Sequence, residues 1–533
     1  MRLLTNSLLI TFLMISHVSD SDAQETPNES ANKPLPFRIS KETTYITGPL
    51  MKNGLVDYSR WLNQQKSQGV TPETNAAVFY WKAIGQSKEF LDSPEFFTRM
   101  KKELGTDPFA EGGPYLVGLG VIAEEAGVEI NFDESSTTGM QYDLAMGRPW
   151  TSDEAPLIKQ WLVRNEKPLS TVLAGTRQPH YYRPMVGGSE TEAMLTFLLP
   201  DIQQHREISR MLTARAMLAL GENRPEEAIR DILAIHRLAR HTAQGSTIIE
   251  MLVGIALESV AHGGDKQLAN ADCISADLLK DYSLQLSKLA PLANFSKAFE
   301  GERCFGLDII QRMASSQLTP EEGSADLFVL LGVEFGSDVV SKLLSLFIQN
   351  SLDWNVVLIG INEYHDQVQL ALAHNNFTER STAMTELSEK LQTTYQQVNT
   401  PTNLALSVFA TPEQRNKQMT TVLLGLLSPA LEQIHVAGTR REAYTLLSEI
   451  GIATAAYQKS VDELPSSLNK LVPDYLSKLP NDPYTGKSFV YRVDDDGAII
   501  YSLGKNLKDD GGTSIDDDRE NHDHVFRVKR IEK

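Results

Sequence analysis

A chain of 533 residues is too long for a single hydrophobic core, so its length predicts more than one packed domain. Its composition, 41% hydrophobic and 22% charged, is typical of a soluble globular protein and excludes a disordered or fibrous chain. The formal net charge of −19 would repel a phosphate backbone, and no local cluster of lysine and arginine compensates for it, which argues against nucleic acid as a partner.

The first residues have the pattern of an export signal. Arg2 supplies a positive charge, Leu8 to Ile15 form a short apolar run, and Ser21-Asp22-Ala23 offers small residues for cleavage. An uncleaved membrane anchor is the alternative, but about eight apolar residues are too few for a hydrocarbon core of roughly 30 Å. We therefore expect a signal peptide at residues 1–23, a flexible leader at 24–41, and a periplasmic or secreted protein without a transmembrane span after signal cleavage.

Residues 42–433 read as one or more helical domains. Three Thr-Pro-Glu sequences predict helix starts, because each offers an N-cap hydroxyl, a proline for the first turn and an acid near the helix N-terminus. They are Thr71-Pro72-Glu73, Thr319-Pro320-Glu321 and Thr411-Pro412-Glu413. The apolar run Leu327 to Ile348 contains three charged residues and predicts a buried helix rather than a membrane span.

The clearest helical hairpin is predicted between Ile202 and His241. Gly221-Glu222-Asn223-Arg224-Pro225 should end one helix and begin the next, and apolar residues at helical spacing predict a third helix from Ile249. This stack resembles a tetratricopeptide-type pair locally, although no second copy follows at a 34-residue period. A further apolar stripe that includes Trp354 and Tyr364 predicts helix core rather than a cofactor site.

The two cysteines, Cys273 and Cys304, are predicted to form a disulfide. Export would place them in an oxidising compartment. Ser275 to Leu289 and Ala293 to Met313 predict an antiparallel helix pair that would bring Cys304 close to the level of Cys273. Two buried thiols are the alternative interpretation.

Catalytic signatures are missing from the sequence. It contains no nucleophile elbow, phosphate-binding loop, His-Glu-x-x-His or Cys-x-x-Cys. Glu300 and Glu302 lie two residues apart, so they would not share a helix face, and a salt-bridge pattern with Arg303 is the simpler interpretation. His236 and His241 have a poor spacing for a metal and predict ordinary helix histidines.

The last part of the chain, residues 434–533, predicts a small α+β head. After Leu464-Pro465 the helical periodicity gives way to turns. Ser488 to Val493 and Ala498 to Leu503 are β-prone runs on either side of an Asp-Asp-Asp-Gly turn, and Val525 to Val528 can supply a third antiparallel strand. The predicted fold class is therefore mainly α with a three-stranded head.

An acidic loop follows the second of these strands and is the best chemical feature of the sequence. Calcium prefers several carboxylate and carbonyl oxygens, and glycines let a loop fold tightly around the ion. Five carboxylates within ten residues repel one another unless a cation neutralises them. An open, solvated loop is the alternative. The candidate ligands are Asp509, Asp510, Asp516, Asp517 and Asp518.

Ala443 to Gly512 resembles the globular head of the major pseudopilin of type II secretion, the G protein. That family binds calcium in the loop after the last matching strand, so the resemblance implies a calcium site here. The apolar filament helix of a pseudopilin does not precede this head, and the resemblance covers less than a sixth of the chain. The matching segments are Leu464-Pro465, Leu471-Val472-Pro473, Leu479-Pro480-Asn481-Asp482-Pro483-Tyr484, Phe489-Val490-Tyr491, Tyr501-Ser502-Leu503-Gly504 and Asp509-Asp510-Gly511-Gly512.

The helical remainder resembles a group of uncharacterised exported bacterial proteins in the stretches around Asp57-Tyr58, Thr71 to Ala77 and Asp353-Trp354-Asn355. This second resemblance implies a shared fold and no particular chemistry. Together these features predict a non-enzymatic envelope protein, in which a helical scaffold presents the calcium-binding head to an envelope or secreted protein. The alternative is an envelope hydrolase with an unrecognised site in the helical region.

Overall fold

A computed structural model shows a mainly helical chain that ends in a three-stranded antiparallel sheet, which confirms the predicted fold class at that level. The signal peptide, residues 24–33 of the leader, Thr319-Pro320-Glu321 and the run from Leu327 to Ile348 lie outside the described residues. The structure describes residues 34–86, 94–133, 136–187, 192–194, 197, 199–292, 295–315, 352–398, 410–427, 431–514 and 522–531.

The helices before the predicted hairpin are short, and the later ones are longer. The first group is α1 (Tyr58–Lys66), α2 (Ala76–Ile84), α3 (Pro94–Leu104), α4 (Leu119–Glu125), α5 (Thr137–Gly147), α6 (Pro156–Arg164) and α7 (Glu166–Thr176). The second group is α8 (Pro200–Gly221), α9 (Pro225–Thr242), α10 (Ile248–Asn270), α11 (Ala276–Ser287), α12 (Phe295–Ala314), α13 (Trp354–Leu372), α14 (Phe377–Val398), α15 (Pro412–Leu427) and α16 (Leu431–Val461).

The chain divides into two compact units. The first contains residues up to 61 together with 304–365 and 389–429. Its core includes Trp354 from the predicted apolar stripe, which is 1% exposed. The side chain of Gln311 binds the backbone N–H and carbonyl of Val56, at 2.9 and 2.8 Å, as a neighbouring strand would. Such pairing satisfies backbone groups that burial would otherwise leave without a partner.

The second unit contains residues 62–303, 366–388 and 430–533. The predicted hairpin is confirmed as α8 and α9, with Asn223 in the left-handed conformation at the turn, and α10 packs against both helices. Helix α16 buries both apolar residues, such as Leu447 and Ile450, and polar ones, such as Ser448 and Thr454. It packs against α10 and α11 on one side and against the sheet on the other.

The sheet has the order β1 (Val490–Val493), β2 (Gly497–Ser502) and β3 (His524–Lys529), and all neighbours are antiparallel. The two strands of the predicted hairpin pair with Val490 opposite Tyr501. Ile500 and Phe526 are opposite each other and fully buried. They belong to the same hydrophobic core as residues of α2 and α8 to α11, so the sheet and the helices of this unit share one interior.

One of the predicted helix starts is misplaced. Thr71-Pro72-Glu73 forms a turn, and α2 begins five residues later at Ala76, with Asn75 as its N-cap. Asn75 accepts hydrogen bonds from the backbone N–H of Ala77 at 3.1 Å and of Tyr182 at 2.9 Å. A cap that is also fixed by a distant segment defines the helix start better than the local sequence does. Thr411 is correctly predicted, since α15 begins at Pro412.

The predicted disulfide is not formed in the structure, where Cys273 and Cys304 both remain thiols. The prediction needed α11 and α12 to run as an antiparallel pair, but α11 packs mainly against α16. Cys273 lies near the carbonyl of Leu220, at 3.9 Å, and Cys304 is buried.

Among the described residues, no helix combines the length and the apolar character needed to cross a membrane.

Gly301 on α12 lies where no side chain fits. A Cβ atom placed on it would come within 1.7 Å of the Ser246 carbonyl oxygen. We expect Gly301→Ala to destabilise the protein by about 1–3 kcal/mol, because the backbone must move to relieve the overlap. Gly263→Ala is the matched control: a Cβ on this exposed residue of α10 meets nothing within 4 Å, so alanine should stabilise the helix by about 1 kcal/mol. Urea denaturation of both variants measures the difference, and equal effects would contradict the packing argument.

Candidate functional site

The predicted calcium loop connects β2 to β3 in the head. Asp509 and Asp510 lie in its first half, whereas Asp516, Asp517 and Asp518 lie outside the described residues. The structure therefore places two of the five predicted ligands.

The base of the loop is fixed by Asp482, which is 2% exposed. Its Oδ1 accepts a hydrogen bond from the Ser502 hydroxyl at the end of β2, at 2.8 Å, and its Oδ2 accepts one from the Thr485 hydroxyl, at 3.1 Å. Asp482 belongs to the turn between Leu479 and Tyr484. Its carboxylate ties that turn to the strand from which the acidic loop departs.

The middle of the loop turns through two consecutive glycines. Gly511 and Gly512 both have a φ of +76°, the left-handed conformation in which other residues are strained. Their carbonyl oxygens accept hydrogen bonds from arginines of the sheet: Gly511 from Arg492, and Gly512 from Arg527 at 3.1 Å. The glycine turn is therefore held against the sheet rather than extended into solvent.

Asp509 and Asp510 each have a hydrogen-bond donor within the head. Asp509 Oδ1 accepts from the Tyr501 hydroxyl at 2.9 Å and from the backbone N–H of Gly511 at 3.0 Å. Asp510 Oδ2 accepts from the side-chain amide of Asn506 at 2.8 Å. Together with burial, the hydrogen bond to Asp509 raises the pKa of Tyr501 to about 12. Each carboxylate keeps a second oxygen for another partner.

Asp523 is the carboxylate that the sequence analysis missed. It lies directly before β3, is 2% exposed, and accepts a hydrogen bond from the Gly512 N–H at 2.7 Å through Oδ2. Its Oδ1 is buried with no hydrogen-bond partner among the described residues. Burial raises the pKa of Asp523, hydrogen bonds from the backbone of Gly512 and Asp510 oppose this shift, and the negative charges of Asp510 and Asp509 add to it. These three carboxylates are therefore close enough to repel one another.

The described residues do not by themselves form a complete metal centre. No group of three or more histidine, cysteine, aspartate or glutamate side chains is arranged to hold an ion within the part of the chain that the structure describes. The carboxylates of Asp509, Asp510 and Asp523 thus supply the electrostatic reason for a cation, and the three aspartates of 516–518 are the remaining predicted ligands.

A second concentration of charge lies inside the helices. His236 on α9 is 1% exposed and sits between two acids of α10: its Nδ1 is 2.8 Å from Glu258 Oε1, and its Nε2 is 3.0 Å from Asp265 Oδ2. Arg240 Nη1 completes the group with contacts of 2.9 and 3.0 Å to the Glu258 carboxylate. The Tyr282 hydroxyl donates to Asp265. We call His236, Arg240, Glu258 and Asp265 the buried ionic network.

The geometry of the buried ionic network fixes the protonation of His236. A neutral imidazole has one N–H, but both ring nitrogens here face carboxylates, so both must donate. Burial alone would lower the pKa of His236, but the charges of Glu258 and Asp265 outweigh it and raise the pKa to about 9. Burial likewise opposes ionisation of Glu258, yet His236 and Arg240 hold its pKa at about 2. Two positive and two negative charges therefore balance inside the helices.

The other candidates from the sequence have structural roles. Glu302 Oε1 accepts a hydrogen bond from the Ile248 N–H, at 3.0 Å, in the first turn of α10. Arg303 pairs with Asp366. His241 Nδ1 is 2.7 Å from the Tyr80 hydroxyl, and burial lowers the pKa of His241 to about 4. His241 is thus the ordinary helix histidine that the sequence predicts, whereas His236 belongs to the buried ionic network.

Comparison with known proteins gives no match: no protein-family model fits the chain, and no curated protein or solved structure is significantly similar to it.

Proposed function

We propose that this chain is an exported, non-enzymatic protein of the cell envelope, whose calcium-binding head contacts an envelope or secreted protein. The helical region, with its tetratricopeptide-like hairpin of α8 and α9, is the scaffold that carries the head. The head itself is proposed to be pseudopilin-like, with calcium as its ligand. The observation that carries the proposal is the buried, unpartnered Oδ1 of Asp523 beside two further carboxylates.

The chemistry of the loop supports calcium over magnesium or a transition metal. Asp509, Asp510 and Asp523 provide oxygen donors only, which is the donor type that calcium and magnesium prefer. Calcium accepts six to eight oxygens in flexible geometry, whereas magnesium demands a near-ideal octahedron. A loop that supplies several aspartates over fifteen residues therefore fits calcium better.

Calcium should raise the melting temperature of the full mature chain, from Gln24 onward. Binding to the folded form alone stabilises by mass action, by about 2.7 kcal/mol when the free ion is at 100 times its dissociation constant. Magnesium at the same concentration should give a smaller shift. Thermal unfolding in calcium, magnesium and chelator, with calorimetric titration of calcium, measures both effects.

Variants locate the site. Asp510→Asn, Asp517→Asn and Asp523→Asn should each reduce or abolish the calcium shift. Asp495→Asn is the matched control, because Asp495 is exposed in the β1–β2 turn and should leave the shift unchanged. An unchanged melting curve in calcium, or a shift that survives in the Asp510→Asn and Asp523→Asn variants, would rule out calcium binding by this loop. If the head is the interaction surface, capture of a partner from envelope extracts should depend on calcium in the same variants.

The alternative function, an envelope hydrolase with a site in the helical region, stays a prediction. Glu442 and Glu449 line a cleft of that region, and paired carboxylates are the chemistry that such an activity would use. The cleft is also lined by three arginines and several apolar side chains, which are more typical of binding than of hydrolysis.

A further inference from the structure

A cleft of about 540 Å³ opens in the second unit, beside the buried ionic network. Its walls come from α9, from the segment between α11 and α12, from Arg380 on α14 and from the middle of α16. This volume lies within the range of small-molecule sites, about 300–1,000 Å³. The residues that line it include three arginines and several apolar side chains.

Three arginines line the cleft: Arg240, Arg380 and Arg441. Arg240 is already engaged, through Glu258 and through a 2.9 Å hydrogen bond from its Nε to the Ala290 carbonyl. Because the buried ionic network is neutral, Arg441 adds a positive charge next to it. Arg441 is 5% exposed, and burial together with the charge of Arg240 lowers its pKa to about 10, against the opposing charges of Glu258 and Glu442. Because Arg380 and Arg441 both line the cleft, an anion bound there would interact with two guanidinium groups.

His435 gives an independent indication of a ligand. It lines the same cleft and is 2% exposed, yet its Nε2 is buried with no hydrogen-bond partner among the described residues. Burial and the nearby charge of Arg380 lower its pKa to about 4, and a hydrogen bond at the Phe377 backbone only partly offsets this. The imidazole is therefore neutral at pH 7. Since a ring nitrogen without a proton accepts a hydrogen bond, His435 Nε2 suits a hydroxyl or amide N–H of a ligand.

Apolar side chains also line the cleft. Leu289, Pro291, Phe295 and Leu446 line it, and the ring of Phe295 lies 5.9 Å from the guanidinium carbon of Arg441. A ligand with only charged groups would leave this wall in contact with water. Glu442 and Glu449 also line the cleft; burial raises the pKa of Glu449, and its charge would repel an anion.

We propose that this cleft binds an organic anion, with one carboxylate or phosphate group at Arg441 and Arg380 and an apolar body against Leu289, Phe295 and Leu446. A polar hydrogen on the ligand would donate to His435 Nε2. The site is separate from the acidic loop of the head, so its test does not depend on calcium.

The test is calorimetric titration of the full chain with a set of matched probes. Decanoate and decyl phosphate carry the two anionic groups on the same apolar body, and their relative affinities decide between carboxylate and phosphate. Decanol keeps the body without the charge, decyltrimethylammonium reverses the charge, and inorganic phosphate keeps the charge without the body. We expect saturable binding of decanoate or decyl phosphate and at least about tenfold weaker binding of the other three, since hydrogen bonds to charged groups are worth about 1.5–3 kcal/mol.

Four variants test the assigned residues. Arg441→Gln and Arg380→Gln should each weaken binding of the preferred anion, whereas Glu449→Gln should strengthen it by removing a like charge. Arg210→Gln is the matched control, because Arg210 is exposed on α8 and does not line the cleft. If Arg441→Gln does not fold, the other two variants still test anion binding. Arg380 is only half-buried, and Glu449→Gln should change the affinity in the opposite direction. Equal affinity for decanol and decanoate, or unchanged affinity in both Arg380→Gln and Glu449→Gln, would overturn the proposal.

Discussion

Replacing Glu258 with glutamine should destabilise the protein more than any other single change described above. The substitution leaves the positive charges of His236 and Arg240 in a buried site with only Asp265 to balance them. Removing one partner of a buried ion pair usually lowers the free energy of unfolding by about 3–5 kcal/mol, because the remaining charge stays desolvated. Urea denaturation at pH 7, followed by circular dichroism, measures the loss.

Glu227→Gln is the matched control for this change. Glu227 forms its ion pair with Arg224 at the start of α9, where the two side chains are 39% and 35% exposed. Surface ion pairs contribute about 0–1 kcal/mol, so this variant should behave almost as the wild type does. A loss in Glu258→Gln that is no larger than in Glu227→Gln would show that the buried ionic network contributes little to stability.

The stability of the protein should fall as the pH rises from 7 to 9.5. The pKa of His236 is raised from 6.5 to about 9 in the folded state, so its contribution is complete below pH 6.5 and is lost as the pH passes through 9. By linkage this contribution is on the order of 3 kcal/mol. Glu258, whose pKa is held at about 2, stays ionised throughout this range, so its ion pair with His236 is lost only when His236 gives up its proton.

The measurement is the urea midpoint at several pH values for the wild type and for His236→Gln. The variant should be less stable than the wild type at pH 7 but should lose less stability between pH 7 and 9.5, so that the two curves approach each other. His374→Gln serves as the control, because His374 is 47% exposed and its loss should not alter the slope. Parallel curves for wild type and His236→Gln would contradict a raised pKa of His236.

The parts of the fold that could be predicted from the sequence depend on local signals. The turn at Gly221 to Pro225 and the strands at 488–493, 498–503 and 525–528 are defined by residues a few positions apart, and the structure reproduces them within one or two residues. The helix start predicted at Thr71 is wrong because the actual N-cap, Asn75, is fixed by a hydrogen bond from Tyr182, more than a hundred positions later. The disulfide prediction failed for the same kind of reason, since the neighbour of α11 is the distant α16.

The candidate sites likewise combine residues that the local sequence indicates with residues that only the tertiary fold brings to them. Asp509 and Asp510 stand out in the sequence as part of an acidic run, but Asp523 joins them only through the pairing of β2 with β3. For the buried ionic network one signal was present: Glu258 and Asp265 are seven residues apart, which is two helical turns, so both acids lie on one face of an otherwise apolar helix. That pattern indicates a buried partner, although it does not identify His236.

The shared interior of α10, α16 and the sheet has a consequence for how the protein is made. Ser448 on α16 is hydrogen-bonded to His262 on α10 at 2.8 Å, and the Thr445 hydroxyl donates to Glu258 at 3.1 Å, across about 190 intervening residues. A ribosome releases the chain from its N-terminus, so α8 and α9 are available to α10 early, whereas the surface of α10 that contacts α16 stays open to water until α16 has been made. Closing so long a segment is slow because its entropy must be lost before the contacts form. The nascent chain therefore reaches its native state only after the final strands emerge, and until then it is a natural client for a chaperone.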